Sequence, residues 1–285
     1  MDIRFLSAVC AIGLVLGLCQ PVFAQTIQLG DRSYLAELPA DTKNAPVIVF
    51  LHGAGRTPEG ISRSTGLPAK AVAQGYAVLL PAGMYETWNA GYCCGRAQSK
   101  GVDDLSFLDA VLADGVSRFG LDAGRVYVVG MSNGAMMAQT WAVSRPGKFV
   151  AVAAVSGTLD LSSHPVTAPV PLLAIHGTGD VVVPFDGGPG TSITANTDIT
   201  PEPVVDAAFA DAWGDGVVMT GPDPVNPGAT IEKTEWTKDG KVIQRLFAVI
   251  GGGHAWPGSN GDTNKALSQG FDAADEVLAF FAGLQ

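Results

Sequence analysis

A serine between glycines, an aspartate and a histidine are the residues whose types and spacing could carry out nucleophilic chemistry. Ser132 is the centre of the pentapeptide Gly-Met-Ser-Asn-Gly at 130–134. A β-branched and aromatic run at 125–129 predicts a buried strand before it, and a helix-forming segment at 133–144 follows. A sharp turn from strand to helix would expose the hydroxyl at the edge of a sheet, where the amino end of the helix can stabilise an oxyanion.

Two candidate partners for this serine follow predicted strands. The strand at 171–175 runs into His-Gly-Thr-Gly and Asp180, and the strand at 242–250 runs into three glycines and His254. Functional groups in open α/β sheets lie beyond the carboxyl ends of the strands, so we expect these side chains to meet Ser132 there. His254 could accept the serine proton while Asp180 orients the imidazole. The chain order serine, aspartate, histidine is that of α/β-hydrolases.

Other acids and histidines fit these roles less well. Asp160, Asp186 and Asp198 do not directly follow a clear strand, and carboxylates in turns are more often structural than catalytic. His164 lies in a polar loop, and His176 is interpreted as support for the turn that follows it. These residues are therefore assigned no chemistry.

Backbone N–H groups near the serine could form an oxyanion hole. One is the N–H of Asn133, and the other is expected from the small-residue loop at 52–55, which follows a predicted strand at 45–51. We assign it to Ala54, with one residue either way left open.

Trp88, Asn89 and Trp256 lie in the segments nearest the predicted catalytic loops, and they are the candidate substrate-binding residues. The two indole rings could form an apolar platform for an acyl chain or an aromatic acid. Packing of each ring within the rim or core is an equal alternative. No metal site and no cofactor are indicated, since the sequence has neither an HExxH motif nor a phosphate-binding glycine loop.

The amino terminus predicts export. Residues 1–24 contain Arg4, an apolar run at 5–18 and a small-residue cleavage pattern ending at Ala24, as in a secretory signal peptide. A lipid anchor on Cys19 is less favoured, because bulky Leu18 precedes it. We therefore predict a secreted or periplasmic protein with one catalytic domain at 25–285.

Charge and cysteine content limit the partners. The net charge of −10 without a basic run argues against nucleic acid and anionic membrane surfaces, and a monomer acting on an ester substrate is expected. Beyond the predicted signal peptide, the cysteines are Cys93 and Cys94. A disulfide between these neighbours and two partly buried thiols are both left open.

Predicted strands and helices alternate along the chain. The pattern indicates an α/β fold with a mostly parallel central sheet and helices on both faces. A hairpin is expected at 26–38. Further strands are expected at 76–80, 149–155 and 230–236, and further helices at 68–74, 103–119, 203–213 and 271–281.

Six segments in order resemble one enzyme family. They are HGAG at 52–55, TWNAGYCCG at 87–95, GVDDLSFLDAV at 101–111, GMSNGAMMA at 130–138, HGTGDVVVPFDGG at 176–188 and GGGHAWPG at 251–258. Together they resemble the secreted polyhydroxybutyrate (PHB) depolymerase family of α/β-hydrolases and the related feruloyl and acetyl xylan esterases. Many relatives carry cysteine or glycine near Ala54 and Arg56 and further cysteines before His254, which this chain lacks.

The resemblance implies an esterase whose Ser/Asp/His triad falls on Ser132, Asp180 and His254. Short-chain hydroxyalkanoate polyesters or oligoesters are the expected substrates, and feruloyl or acetyl esters of plant polysaccharide are the alternative. A protein that binds polymer without catalysis, on a hydrolase scaffold, is a further alternative from another class.

Overall fold

A ten-stranded sheet organises the computed structural model, which describes residues 23–191, 197–223, 230–262, 265 and 267–285. The predicted signal peptide lies outside these residues except for its last two, which belong to β1. The strands are β1 Phe23–Leu29, β2 Arg32–Leu38, β3 Val47–Leu51, β4 Ala77–Pro81, β5 Val126–Met131, β6 Ala151–Val155, β7 Leu172–Gly177, β8 Gly188–Pro189, β9 Asp198–Ile199, β10 Val217–Pro222, β11 Ile231–Lys238 and β12 Lys241–Val249.

Helices cover the sheet, and they are α1 Pro58–Thr65, α2 Leu67–Ala73, α3 Gly95–Ser99, α4 Asp104–Phe119, α5 Asn133–Ser144, α6 Glu202–Asp211 and α7 Ala273–Ala282. Helices α4 and α5 pack on one face of the sheet, and α2 and α7 pack on the other. Among the described residues, no helix is long and apolar enough to cross a membrane.

The strand order is β1-β2-β4-β3-β5-β6-β7-β12-β11-β10, and the small β8-β9 pair lies apart. The five pairings from β4 to β12 are parallel, and those at both ends of the sheet are antiparallel. All residues of β3, β4 and β6 are buried, because helices cover both faces of the central strands. The predicted mostly parallel α/β sheet is confirmed.

Five elements were not predicted from the sequence, namely helices α1 and α3 and strands β8, β9 and β10. Helix α1 begins after Thr57, whose side chain accepts a hydrogen bond from the N–H of Gly60, and Pro58 occupies its first turn. Such a cap followed by proline is a helix-start signal that the sequence contains. Strand β10 has mostly exposed side chains and includes Gly221 and Pro222, and its pairing with β11 makes it an edge strand.

Candidate active site

Ser132 occupies a strained turn between β5 and α5. Its backbone has φ 56° and ψ −127°, a conformation that non-glycine residues rarely adopt. A Cβ atom on Gly130 would overlap the carbonyl of Gly134, and a Cβ on Gly134 would overlap the carbonyl of Leu51. The two glycines of the pentapeptide are therefore required by close backbone contacts, and the turn directs the serine side chain into a cavity at the sheet edge.

The three residues predicted to act together lie in hydrogen-bond contact. His254 Nε2 is 2.8 Å from Ser132 Oγ, and His254 Nδ1 is 2.7 Å from Asp180 Oδ2. The other carboxylate oxygen of Asp180 accepts the N–H groups of Val182 at 2.8 Å and Val183 at 2.9 Å. Backbone donors thus fix one oxygen of the carboxylate and leave the other directed at the imidazole.

The loops that carry Asp180 and His254 pack directly on each other, since β7 and β12 are parallel neighbours. The N–H of Gly179 donates to the carbonyl of Gly252 at 2.8 Å, and that of Thr178 donates to Val249 at 3.0 Å. A Cβ on Gly177 would overlap the carbonyl of Gly252. The glycines before both side chains allow this approach, which brings the aspartate to the histidine.

The Asp180 carboxylate is buried, but it stays ionised beside the imidazole of His254. Burial alone would raise its pKa, but hydrogen bonds from His176 and His254, together with their charges, hold the pKa well below the usual range. An ionised carboxylate at this position can orient the imidazole of His254 and stabilise its protonated form.

Some backbone N–H groups near Ser132 are hydrogen-bonded within the protein, and others are not. In the loop after β3, the N–H of Gly55 donates to Glu86 O at 2.8 Å and that of Arg56 donates to Gly53 O at 3.2 Å. Among the described residues, the N–H groups of Ala54 and Asn133 have no protein acceptor. Gly55 is thereby removed from the candidate oxyanion donors, while the Ala54 and Asn133 assignments remain predictions.

A cavity of about 430 Å³ opens beside Ser132 and His254. Its apolar lining comes from Met131 and Met136, next to the serine, and from Val182 and Val183, which follow Asp180. A cavity of this size with aliphatic walls and a few converging polar groups suits a small acyl group.

Tyr85 is a lining residue that the sequence analysis missed. Its side chain is 44% exposed, and the guanidinium of Arg96 lies 4.2 Å from the centre of its ring. The backbone of Tyr85 has φ 58° and that of Glu86 has φ 57°, so two consecutive side chains adopt a left-handed conformation here. The available sequence signal was an aromatic residue shortly after the carboxyl end of β4.

The predicted substrate platform is not formed by the residues chosen for it. Trp88 and Trp256 are fully or almost fully buried, and Trp88 Nε1 donates to the carbonyl of His52 at 2.8 Å. Asn89 donates its side-chain amide to Val102 O at 3.0 Å. None of these three side chains lines the cavity at the serine, so the packing alternative describes the tryptophans.

Cys93 and Cys94 are joined as a disulfide in the structure. Both are buried, and Cys94 lines the cavity together with the aliphatic wall residues. The pair therefore forms part of the segment that borders the candidate active site.

Comparison with known proteins decides the family. Residues 29–218 match the family model described as Esterase PHB depolymerase. The chain belongs to this esterase family. NocK of Nocardia uniformis subsp. tsuyamanensis, a protein named as an esterase, is 31% identical over 262 residues, covering 84% of this chain and 76% of that protein.

A further relative and a solved structure are also similar to this chain. Feruloyl esterase C of Emericella nidulans is 30% identical over 178 residues, which cover 59% of this chain and 63% of that protein. The structure of an acetyl xylan esterase from Aspergillus awamori aligns with a TM-score of 0.63 at 16% identity, covering 92% of this chain and 99% of that one. The latter supports the fold, and the predicted α/β-hydrolase class is confirmed.

Membership in the PHB depolymerase esterase family makes the chain a serine carboxylic-ester hydrolase. The alternative of a polymer-binding protein without catalysis is not favoured by any of these similarities. The resemblance stated from the six sequence segments is confirmed.

Proposed function

We propose that this family member cleaves short-chain hydroxyalkanoate esters, as oligoesters or polyesters, through an acyl intermediate on Ser132. The observation that carries the proposal is the unbroken hydrogen-bond path from Asp180 through His254 to Ser132 Oγ, with distances of 2.7 and 2.8 Å. At its Ser132 end, the path opens onto the cavity with aliphatic walls, where an ester could bind.

The reaction proceeds in two halves. Ser132 Oγ attacks the ester carbonyl while His254 Nε2 takes the hydroxyl proton, and the N–H groups of Asn133 and Ala54 stabilise the oxyanion. His254 then donates this proton to the departing alcohol, which leaves an acyl group on Ser132. Water, deprotonated by His254, attacks that acyl group, and the acid leaves as the serine regains its proton.

The character of the cavity favours an aliphatic acyl group. Met131, Met136, Val182 and Val183 supply its apolar wall, and Tyr85 is the aromatic ring among the described lining residues. Feruloyl or acetyl esters of plant polysaccharide remain the alternative substrates, because a named feruloyl esterase is among the relatives. Trp88 and Trp256 are buried and therefore cannot stack on a ferulate ring. The partly exposed ring of Tyr85 alone offers less stacking surface than two exposed tryptophans would.

The test compares kcat/KM for a trimer ester of 3-hydroxybutyrate and for methyl ferulate, with Ser132→Ala as the blank. We expect the oligoester to be preferred at least tenfold and the variant to lose activity by several orders of magnitude while keeping its circular dichroism spectrum. A preference for methyl ferulate would instead support the plant-wall alternative. Residual turnover above about one per cent in Ser132→Ala would exclude it as the nucleophile.

Export and domain organisation are part of the same proposal. We infer that residues 1–24 are removed on secretion and that 25–285 form one catalytic domain acting without a cofactor or metal. Amino-terminal sequencing of protein recovered from the culture medium or periplasm should begin at Gln25. A first residue of Met1, or protein found only in the cytoplasm, would contradict the inference.

A further inference from the structure

His176 lies directly behind the candidate catalytic aspartate. Its ring is fully buried at the end of β7, and Nε2 is 3.3 Å from Asp180 Oδ2 and 2.9 Å from Val183 O. On the opposite side of the ring, Nδ1 is 2.6 Å from Glu202 Oε2, at the start of α6. The imidazole therefore bridges two carboxylates, one of which contacts His254.

The partners of this ring determine its protonation. A backbone carbonyl can only accept, so Nε2 must carry a hydrogen where it meets Val183 O. Nδ1 faces the carboxylate of Glu202, and a hydrogen there makes the ring an imidazolium. Burial alone would lower the pKa of His176, but hydrogen bonds to Asp180 and Glu202 and their charges raise it to about 10.

The His176 ring is the cation of a buried cluster of ionisable side chains. Asp180 comes from the loop after β7 and His254 from the loop after β12, while Glu202 and Asp206 come from α6. Burial, with the nearby charge of Glu202, raises the pKa of Asp206 well above its usual value and so disfavours a third carboxylate charge in the cluster. Two carboxylates thus share the charge of one imidazolium.

A phenyl ring and a helix complete the enclosure. The ring of Phe185 contacts His176 edge-on with 5.6 Å between centroids, and the N–H of Glu202 donates to Phe185 O at 2.9 Å. Gln244 Nε2, on β12, donates to Asp206 Oδ1 at 2.9 Å. The start of α6 is therefore tied both to the Asp180 loop and to the sheet, which fixes Glu202 against the imidazole.

We propose that His176 is a positioning residue, a buried cation held by Glu202 that keeps Asp180 ionised and directed at His254, and thereby sets the lowest pH at which the triad works. The inference rests on the proposed triad and assigns it a partner beyond its three members. Among the described residues, His176 is not one of those that line the cavity at Ser132.

The physical consequence is a competition between two cations for one carboxylate oxygen. Asp180 Oδ2 contacts both His176 and His254, so the permanent charge on the first ring opposes protonation of the second. Removing that charge makes protonation of His254 easier. Esterase activity, which needs the neutral imidazole, should then be lost at a higher pH, with a shift of about one unit.

The first test measures protonation directly and does not depend on esterase activity. In purified protein labelled with ¹⁵N-histidine, long-range ¹H–¹⁵N spectra should show both ring nitrogens of His176 protonated from pH 5 to 9, with assignment by His176→Gln. In Glu202→Gln, which removes the charge and offers an amide N–H to an unprotonated Nδ1, the ring should be neutral at pH 8. A neutral His176 ring at pH 7 in the unchanged protein would overturn the proposal.

The second test measures the acidic limb of the kcat/KM profile on the 3-hydroxybutyrate trimer ester. We expect the limb to move up by about one pH unit in His176→Gln and by less in Glu202→Gln. Glu37→Gln is the matched control, because Glu37 is a buried acid hydrogen-bonded to Ser62 in a different part of the sheet. Its profile should coincide with that of the unchanged protein.

The outcomes separate the two proposals. A uniform loss of activity without a moved limb would reduce His176 to a structural residue and contradict the inference. If either variant fails to fold, judged by circular dichroism, the spectra of the unchanged protein decide alone. If the unchanged protein hydrolyses no ester, the proposed function fails, while the spectra still test whether His176 is the buried cation.

Discussion

The side-chain amide of Asn133 pairs with both backbone groups of Trp88. Asn133 Oδ1 accepts the N–H of Trp88 at 2.7 Å, and Nδ2 donates to its carbonyl at 3.0 Å. The residue after the candidate nucleophile thereby holds the segment 87–94, which contributes Thr87 and Cys94 to the cavity. A single buried side chain links the turn at Ser132 to the opposite side of the site.

Asn133→Ala should therefore lower both stability and turnover. The substitution leaves the buried N–H of Trp88 without its partner, which costs about 1–3 kcal/mol. The carbonyl of Trp88 loses the Asn133 amide but still accepts the N–H of Cys94 at 3.1 Å. The backbone N–H at position 133 remains, so the loss of kcat should come from a displaced cavity segment, at roughly tenfold or more. Chemical denaturation and kcat on the oligoester are the measurements.

Asn89→Ala is the matched control for this change. Asn89 belongs to the same segment, but its amide donates to Val102 O and makes no contact with α5. We expect kcat within about twofold of the unchanged protein. Equal losses in both variants would show that the segment is sensitive to any substitution and would remove the special role of the Asn133 pair.

The contact among the three candidate triad residues was predictable because local signals mark their positions. Ser132, Asp180 and His254 each follow a strand, and glycines within two residues of each permit the turns and close contacts that the structure contains. Parallel pairing of the central strands then places the strand ends at one edge. Residue type, chain order and strand position were therefore sufficient.

The substrate side was not predictable in the same way. Whether Trp88 faces a cavity or the core depends on its contact with the carbonyl of His52, thirty-six residues earlier in the chain. The exposure of Tyr85 depends on a left-handed backbone conformation for which the sequence has neither glycine nor asparagine at that position. The bridging role of His176 likewise needed the position of Glu202, which comes from α6.

Tyr85→Ala should change substrate preference rather than chemistry. Tyr85 lines the cavity, is 44% exposed and takes no part in the hydrogen-bond path from Asp180 to Ser132, so kcat for a small acetyl ester should stay within about threefold. KM for methyl ferulate should rise about three- to tenfold, because an aromatic contact contributes roughly 0.5–1.5 kcal/mol. Steady-state kinetics on both esters give the comparison.

Tyr85→Phe keeps the ring and is the control for this prediction. Its KM for methyl ferulate should match that of the unchanged protein. Unchanged KM values in Tyr85→Ala would mean that the ring does not contact the acyl group, and substrate binding would then be assigned to the aliphatic wall alone.

Cys93 and Cys94 should resist alkylation until they are reduced. Their sulfurs are joined in the structure, and no other cysteine lies among the described residues. Protein purified from the periplasm, unfolded and treated with iodoacetamide, should keep its mass, and prior reduction should add two carbamidomethyl groups. Addition of two groups without reduction would instead support the alternative of buried thiols.

Stability should fall on acidification because His52 is held neutral. Burial of its ring, reinforced by the nearby charge of Arg32, lowers the pKa of His52 to about 4, while Nδ1 donates to Gly53 O and Nε2 accepts the N–H of Gly83. Between pH 6.5 and 4 the unfolded chain binds a proton that the folded chain does not, so the free energy of unfolding decreases as pH falls. The contribution is at most about 3 kcal/mol. Denaturant titrations of the unchanged protein and of His52→Gln should differ in slope across this window. Parallel curves for the two proteins would contradict the assignment.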